Sequence, residues 1–404
     1  MKSFYTIILS KLFFSLLLSL GVIYLSLSHF NWMSFWGFLN IPASDPFSDF
    51  KALNIFLEYK NNGFDPYFKN PISDPIHSVL IYPSIWLDIF DYLNLEKDLN
   101  FKIATFLILF VYFFVLIDLF LRIESKSTKF LFIIFFFSTS NFLLIERLNI
   151  EIILFCLIYF SIINKGFLKR FFFYTLALIL KIFPIFSIFI FIEKKNNFCI
   201  VLFFSIIYIF ILRDEISLIK NNIIEYALIF AYGTLSISKA IYFYSTKLNL
   251  FINNENYFFF KNLLIVGVGF LSVIVIFLGF RLNKKKISSV ITFNEIMLLS
   301  GGGIYIGTFI FSANIDYRLV FLILTIPYIF KEGSKNLVLF YSICLIACFN
   351  SLVFEGGNSY STIYFIIGSL IYLMKFFILF FNCYFFGKIC SKFVNININF
   401  LGKT

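Results

Sequence analysis

Carboxylates crowd into one stretch of this chain, and its chemistry is expected there. Residues 42–98 hold nine of the 22 acidic residues of a 404-residue sequence, and six of its eight prolines (Pro42, Pro46, Pro66, Pro71, Pro75 and Pro83). Asp49 is the leading candidate for a general base, with Asp45 as the alternative. A positioned carboxylate accepts the proton that a hydroxyl sheds as it attacks. Asp49 and Ser48 equally suit the N-cap of a helix over 50–61. Asp65 precedes Pro66, a pairing that more often makes a turn than a catalyst.

Two cations complement these acids. Lys181 lies inside an apolar run and Arg318 at the edge of another. A charge in such surroundings is costly and by default suggests a pathway or a site. Both are candidate binding residues for an anionic group, with Arg147 as a third. Each has a plainer reading: snorkelling for Lys181, pairing with Asp316 for Arg318, and pairing with Glu146 or Glu151 for Arg147. Tyr67, Tyr82, Tyr317, Asp65 and Asp316 are the candidate substrate-lining residues, although tyrosine at a membrane interface is ordinary.

The elements that must position these residues are helices in a membrane. The chain is 60% hydrophobic and 14% charged, against roughly 25% charged in a soluble domain. The fold expected is all-α and polytopic, a single integral membrane domain over 1–404. Apolar stretches fall at 4–27, 101–121, 130–145, 150–163, 168–192, 198–212, 259–280, 291–312, 317–330, 336–354 and 360–386. The first exceeds a signal-peptide core and lacks a small-residue cleavage site, so a retained transmembrane helix is expected. The formal charge of +11 resides in short Lys/Arg clusters between the apolar runs. That is the pattern of membrane topology, not of a nucleic-acid-binding module.

Segment 42–98, the greater part of a loop expected over 28–98, cannot lie in hydrocarbon, because proline-broken backbone leaves polar groups unsatisfied there. The basic clusters place it on the extracytoplasmic side, with both termini cytoplasmic. One conflict arises. If 168–192 were one helix, Lys194 and Lys195 would face outward. The conflict vanishes if the stretch is two half-helices turning back near Lys181-Ile182-Phe183-Pro184, where proline removes a backbone donor. About 11–12 membrane passes result, twelve counting the two halves. Within the loop, amphipathic helices are expected over 49–61 and 82–93. Trp32, Trp36 and Trp86 flank it at headgroup depth.

The densest motifs are Pro46-Phe47-Ser48-Asp49-Phe50, then Gly63-Phe64-Asp65-Pro66-Tyr67, then Tyr82-Pro83. In order and approximate spacing they resemble the glycosyltransferase-C superfamily, in particular the bacterial polyprenyl-phosphate-mannose-dependent mannosyltransferase-like family. Members carry an Asp after the first transmembrane helix, a Gly-x-(Asp/Asn)-Pro-Tyr turn and a Tyr-Pro pair. Lys181-Ile182-Phe183-Pro184 matches a Lys-x-x-Pro element. Two departures stand out. Glu146-Arg147 replaces the usual Gly-Gln of a polar turn, and the region Asn314 to Arg318 lacks a histidine that some members have. The resemblance spans roughly 45–330. It implies a polyprenyl-phosphate-linked sugar donor, a glycan or glycolipid acceptor, a carboxylate base in the first outer loop, and a site on the extracytoplasmic face of a cell membrane, expected to be a bacterial inner membrane. The acceptor hydroxyl would lose its proton to Asp49, and cations would steady the departing phosphate.

The remaining polar residues read more plainly. No ligand spacing singles out a metal, no cofactor is expected, and His77 is the only histidine of the outer loop. Cys156, Cys199, Cys344, Cys348, Cys383 and Cys390 read as small apolar residues. Asp118, Glu295 and Lys375, within apolar runs, are expected to face other helices or to snorkel, with Asp118 open to a role in a proton path. Gly301-Gly302-Gly303 lacks the strand and lysine of a phosphate loop and is expected to permit close helix packing. Two other classes compete. A lipid or polysaccharide transporter or flippase predicts broken helices and an internal repeat, and no repeat is found. A polysaccharide polymerase predicts outer segments richer in arginine than these.

Overall fold

The structure is a computed structural model of the chain. It describes residues 2–39, 41, 45–68, 79–222, 231–247, 254–282, 291–351 and 362–401. His77, the Lys284–Lys286 part of a basic cluster and Lys403 lie beyond the described residues.

The described chain is helical almost throughout. Helices α1 (Lys2–Ser26) and α2 (His29–Phe38) precede the acidic loop, which contributes α3 (Ser48–Asn61) and α4 (Ile85–Tyr92). Then come α5 (Asp98–Arg122), α6 (Lys126–Phe136), α7 (Thr139–Arg147), α8 (Glu151–Ile163) and α9 (Phe167–Leu180). A 3-10 segment, Phe183–Phe191, leads to α10 (Lys195–Ile211), α11 (Arg213–Asn222), α12 (Thr234–Lys247), α13 (Asn254–Arg281) and α14 (Phe293–Phe311). A second 3-10 segment, Asp316–Leu324, precedes α15 (Ile326–Glu332), α16 (Lys335–Phe349) and α17 (Thr362–Leu401). One two-residue antiparallel bridge pairs Ala231 with Ile315 and Tyr232 with Asn314.

Among the described residues, five helical spans are long and apolar enough to cross a membrane: Ile7–Ser26, Asp98–Arg122, Asn256–Arg281, Phe293–Phe311 and Ile366–Lys392. Helices α6 and α7 are long and apolar enough only as a pair, bent by 48° at their junction, the shape of a broken span or of a re-entrant loop. Such a set is what a polytopic membrane protein requires. The other apolar stretches are shorter or irregular; some are packed inside, whereas α10 is largely exposed, with Phe203, Phe210 and Ile211 on its outer face. Helix α8, thirteen residues long, is buried along most of its length, and at 1.5 Å per residue it reaches about 20 Å.

The stretch 168–192 doubles back, as its proline predicts. Helix α9 stops at Leu180, Lys181 is extended (φ −165°), and the 3-10 segment returns toward the start. The Arg170 guanidinium donates to the Ile190 carbonyl and to Glu193, both at 2.9 Å. Residues twenty apart therefore meet at one end of a hairpin whose apex is Lys181. The Leu180 carbonyl, left without an intrahelical partner, accepts from Trp86 Nε1 at 2.9 Å.

Glycines on α14 let both 3-10 segments pack against its backbone. A Cβ on Gly301 would stand 2.3 Å from the Phe321 carbonyl oxygen, and one on Gly303 would stand 2.3 Å from that of Phe186. We expect Gly303→Ala to lower the thermal stability of the purified protein in detergent by roughly 1–3 kcal/mol, the usual range for overpacking. An unchanged melting temperature would show that the hairpin yields freely.

The tryptophans depart from expectation. Trp32, Trp36 and Trp86 are interior side chains, not lipid-facing anchors. Trp32 packs on Phe47 with ring centroids 4.9 Å apart and donates to Glu146 at 3.4 Å. The charges within apolar runs are paired between helices. Asp118 meets Lys11, Arg122 and Tyr159, and Glu295 caps α14 and meets Lys392. Lys375, fully buried on α17, bonds both oxygens of Asp316 at 2.8 and 2.9 Å and the Ala231 carbonyl at 3.0 Å.

Candidate active site

A sharp reversal between α7 and α8 organises the site. Helix α7 is N-capped by Ser138 and ends with Leu148 in the left-handed region (φ 45°). Asn149 comes next, and its side-chain oxygen accepts from the Glu151 backbone N–H at 3.1 Å. That N–H can only donate, so the Asn149 amide nitrogen must point the other way. It donates to Asp49 Oδ2 at 2.6 Å and lies 3.5 Å from the Tyr82 hydroxyl. Arg147, Asn149 and Glu151 thus fan out from one turn within five residues.

Asp49 reaches this turn from the first turn of α3. The helix begins after Phe47, itself left-handed (φ 61°), with no side-chain cap. The Phe47 N–H donates to the Glu146 carbonyl at 3.1 Å, which ties the start of α3 to the end of α7. Asp49 is therefore not the N-cap. Its carboxylate faces Arg147 at 3.3 Å and Asn149. Arg147 also lies 3.4 Å from Glu146, one of the two partners the sequence suggested.

On the other side of the turn stands Glu151, wholly buried. A single oxygen, Oε1, accepts from Lys181 Nζ at 2.9 Å and from Arg318 at 2.9 Å (Nε) and 2.7 Å (Nη2). Lys181 comes from the hairpin apex. Arg318 comes from the first turn of the second 3-10 segment, where Asn314 also accepts from it. Lys181 Nζ sits 4.7 Å from the Tyr82 ring centroid, and the Arg318 guanidinium 4.6 Å from that of Phe183. Both contacts are of cation–π length. Lys181 therefore does not snorkel, and Arg318 does not pair with Asp316.

Tyr82, Lys181 and Arg318 border a cavity of about 310 Å³, together with Tyr317 and apolar side chains such as Phe183, Phe186 and Phe311; Asp49, Arg147, Asn149 and Glu151 stand behind its wall and are not among the lining residues. Burial drives the Tyr82 hydroxyl well above the ordinary phenol range, and the nearby charges of Asp49 and Glu151 push it further. Tyr82 therefore stays neutral at physiological pH. Its ring links the halves of the site, with Asn149 and Asp49 at its hydroxyl and Lys181 over its face.

Not every candidate gathers here. Asp65 and Tyr67 line a neighbouring cleft with Lys60, Ser84 and Glu215. Asp65 accepts from the Tyr67 N–H at 2.9 Å, the turn-forming role. The Tyr67 hydroxyl donates to Glu215 at 2.6 Å, and burial with that contact raises its pKa. Asp316 is withdrawn: it is buried against Lys375 and Ser351 and does not line the cavity. Asp45 is exposed and lies 3.6 Å from Lys51.

Glu151, Asn149 and Asn314 were not among the residues singled out for chemistry. A signal existed for Glu151: it is a carboxylate opening an apolar run, and such a group demands a partner. Among the described residues no group of three or more His, Cys, Asp or Glu is placed to hold a metal ion. Compared with known protein families, with curated proteins and with solved structures, this chain matches none.

Proposed function

We propose that this chain is a membrane glycosyltransferase of the glycosyltransferase-C type, similar to the polyprenyl-phosphate-mannose-dependent mannosyltransferase-like family. It transfers a hexose, with mannose the first sugar to test, from a polyprenyl-phosphate donor to an extracytoplasmic glycan or glycolipid. The observation that carries the reading is a carboxylate and two cations disposed about one tyrosine: Asp49 is linked to the Tyr82 hydroxyl through Asn149, and Lys181, held with Arg318 on Glu151, lies over the Tyr82 ring.

That arrangement suits the chemistry. The acceptor hydroxyl attacks the anomeric carbon and gives its proton to Asp49. The bond from that carbon to the phosphate oxygen breaks, and its electron pair leaves with the phosphate. Lys181 and Arg318 neutralise the charge that develops. A phosphate is already a good leaving group, so no general acid is required. The apolar walls of the cavity suit the first isoprene units of the lipid. In this reading the chain makes twelve passes, counting the two halves of the hairpin. Both termini are cytoplasmic, and the acidic loop with its site faces the outside of a cell membrane, taken here as a bacterial inner membrane.

Isolated membranes should transfer radiolabel from polyprenyl-phosphate-hexose to an endogenous acceptor only when the protein is present. Absence of transfer across the common hexoses would sink the enzyme reading. It would favour a lipid transporter, for which the broken hairpin at Lys181 is the supporting feature. Within the enzyme reading, Lys181→Ala is expected to raise the donor KM by about tenfold or more, the scale of one lost charge-assisted hydrogen bond, and to leave the acceptor KM nearly unchanged. Equal rises in both would argue for general damage to the site.

A further inference from the structure

Resting on the function proposed above, we propose that Glu151 is a positioning residue that sets the net charge of the phosphate seat, matching it to the donor and not to the product. Glu151 is buried behind the cations, and its Oε1 alone takes hydrogen bonds from both Lys181 and Arg318 at 2.7–2.9 Å. The second oxygen, Oε2, is buried without a hydrogen-bond partner. The residue does not line the cavity, so it acts on a ligand only through the two cations.

Charge bookkeeping gives the consequence. Lys181 and Arg318 bring two positive charges and Glu151 removes one. Arg147 lies between Asp49 and Glu146, and none of these three lines the cavity; Lys220, the further cation among the described lining residues, is exposed. The two cations on the cavity wall and the carboxylate that both of them bond therefore carry one net positive charge among the three. A lipid-phosphate-sugar is a phosphodiester with one negative charge. When its bond to the sugar breaks, the electron pair stays on the phosphate and the proton of the acceptor goes to Asp49. The lipid product is then a phosphomonoester, which carries nearly two negative charges above pH 6 or so. The seat balances the diester and, once Asp49 has released the proton it accepted, falls one charge short of the product. Glu151 thus holds two like charges together for binding and keeps the spent carrier from binding too well.

Replacing Glu151 by Gln keeps an acceptor oxygen and removes the charge. Each negative charge on a ligand then gains the same Coulomb increment, so a dianion gains twice what a monoanion gains. The test is equilibrium binding of farnesyl phosphate and of its methyl diester to the purified full-length protein in detergent at pH 7.5. Wild type should bind the two within about threefold of each other. E151Q should shift the preference toward the monoester on the order of tenfold, as one unscreened charge several ångströms away predicts. E151D, which keeps the charge, should keep the wild-type preference.

A wild-type protein that already favours the monoester tenfold would overturn the proposal, whatever the variants do. So would an E151Q preference equal to that of wild type, or an E151D preference shifted like that of E151Q. Failure of folded wild type to bind either ligand is a different result. It would remove the phosphate seat and with it the function on which this inference rests.

Discussion

Asp49→Asn should reduce sugar transfer by roughly 10²–10⁴-fold, the range that a positioned general base contributes, with expression unchanged. The substitution preserves shape. Asparagine still offers an oxygen to the Asn149 amide, now 2.6 Å from Asp49, and Arg147 keeps Glu146 at 3.4 Å. What disappears is the ability to accept a proton from the acceptor. The check is the initial rate of radiolabel transfer in membranes, normalised to the amount of protein. Turnover close to wild type would remove the base assignment. Asp45 would not readily replace it, because its exposed side chain is directed toward Lys51, 3.6 Å away.

The second large effect concerns a group outside the cavity. Asp316→Ala removes the carboxylate that bonds the Lys375 ammonium in the bundle interior, where the lysine side chain has no exposed surface. Removing one partner of a buried ion pair costs about 3–5 kcal/mol. Replacing both, as in Asp316→Leu with Lys375→Met, should recover much of that loss, since the desolvation penalty goes with the charges. Thermal unfolding of the single and double variants in detergent measures both quantities. A single variant as stable as wild type would show that the pair is not a strut. The consequence for the site is positional: Asp316 opens the 3-10 segment that carries Arg318 two residues later, and Lys375 also bonds the Ala231 carbonyl of the bridge beside it.

How far the site could be read in advance differs from residue to residue. Asp49 stood out because a carboxylate in a proline-broken loop cannot be membrane filler. Lys181 stood out because a lysine inside an apolar run, three residues before a proline, marks a break. Glu151 was weighed only as a partner for Arg147, yet it holds the two cations together. Its position beside Arg147 suggests a local pair, and the left-handed Leu148 turns the two side chains to different neighbours. Asp316 misled for the opposite reason. It is two residues from Arg318, but Lys375, 59 positions away, claims it. The tryptophans misled through composition: at the edges of a membrane protein an indole suggests the lipid interface, whereas here each is packed inside.

By itself the sequence determined the features that local chemistry dictates. Apolar composition required helices in a membrane, Pro184 broke the stretch 168–192, the apolar residues Phe50, Leu53, Phe56 and Leu57 at helical spacing produced α3, and the small residues at 301–303 allowed backbones to touch. These depend on steric and hydrogen-bond constraints that act over a few residues. Only the tertiary structure decided which charge meets which. In a low-dielectric interior each buried ion must find its counter-ion, and the choice is made by helix packing across tens to hundreds of residues, as when Lys181 and Arg318 converge on Glu151.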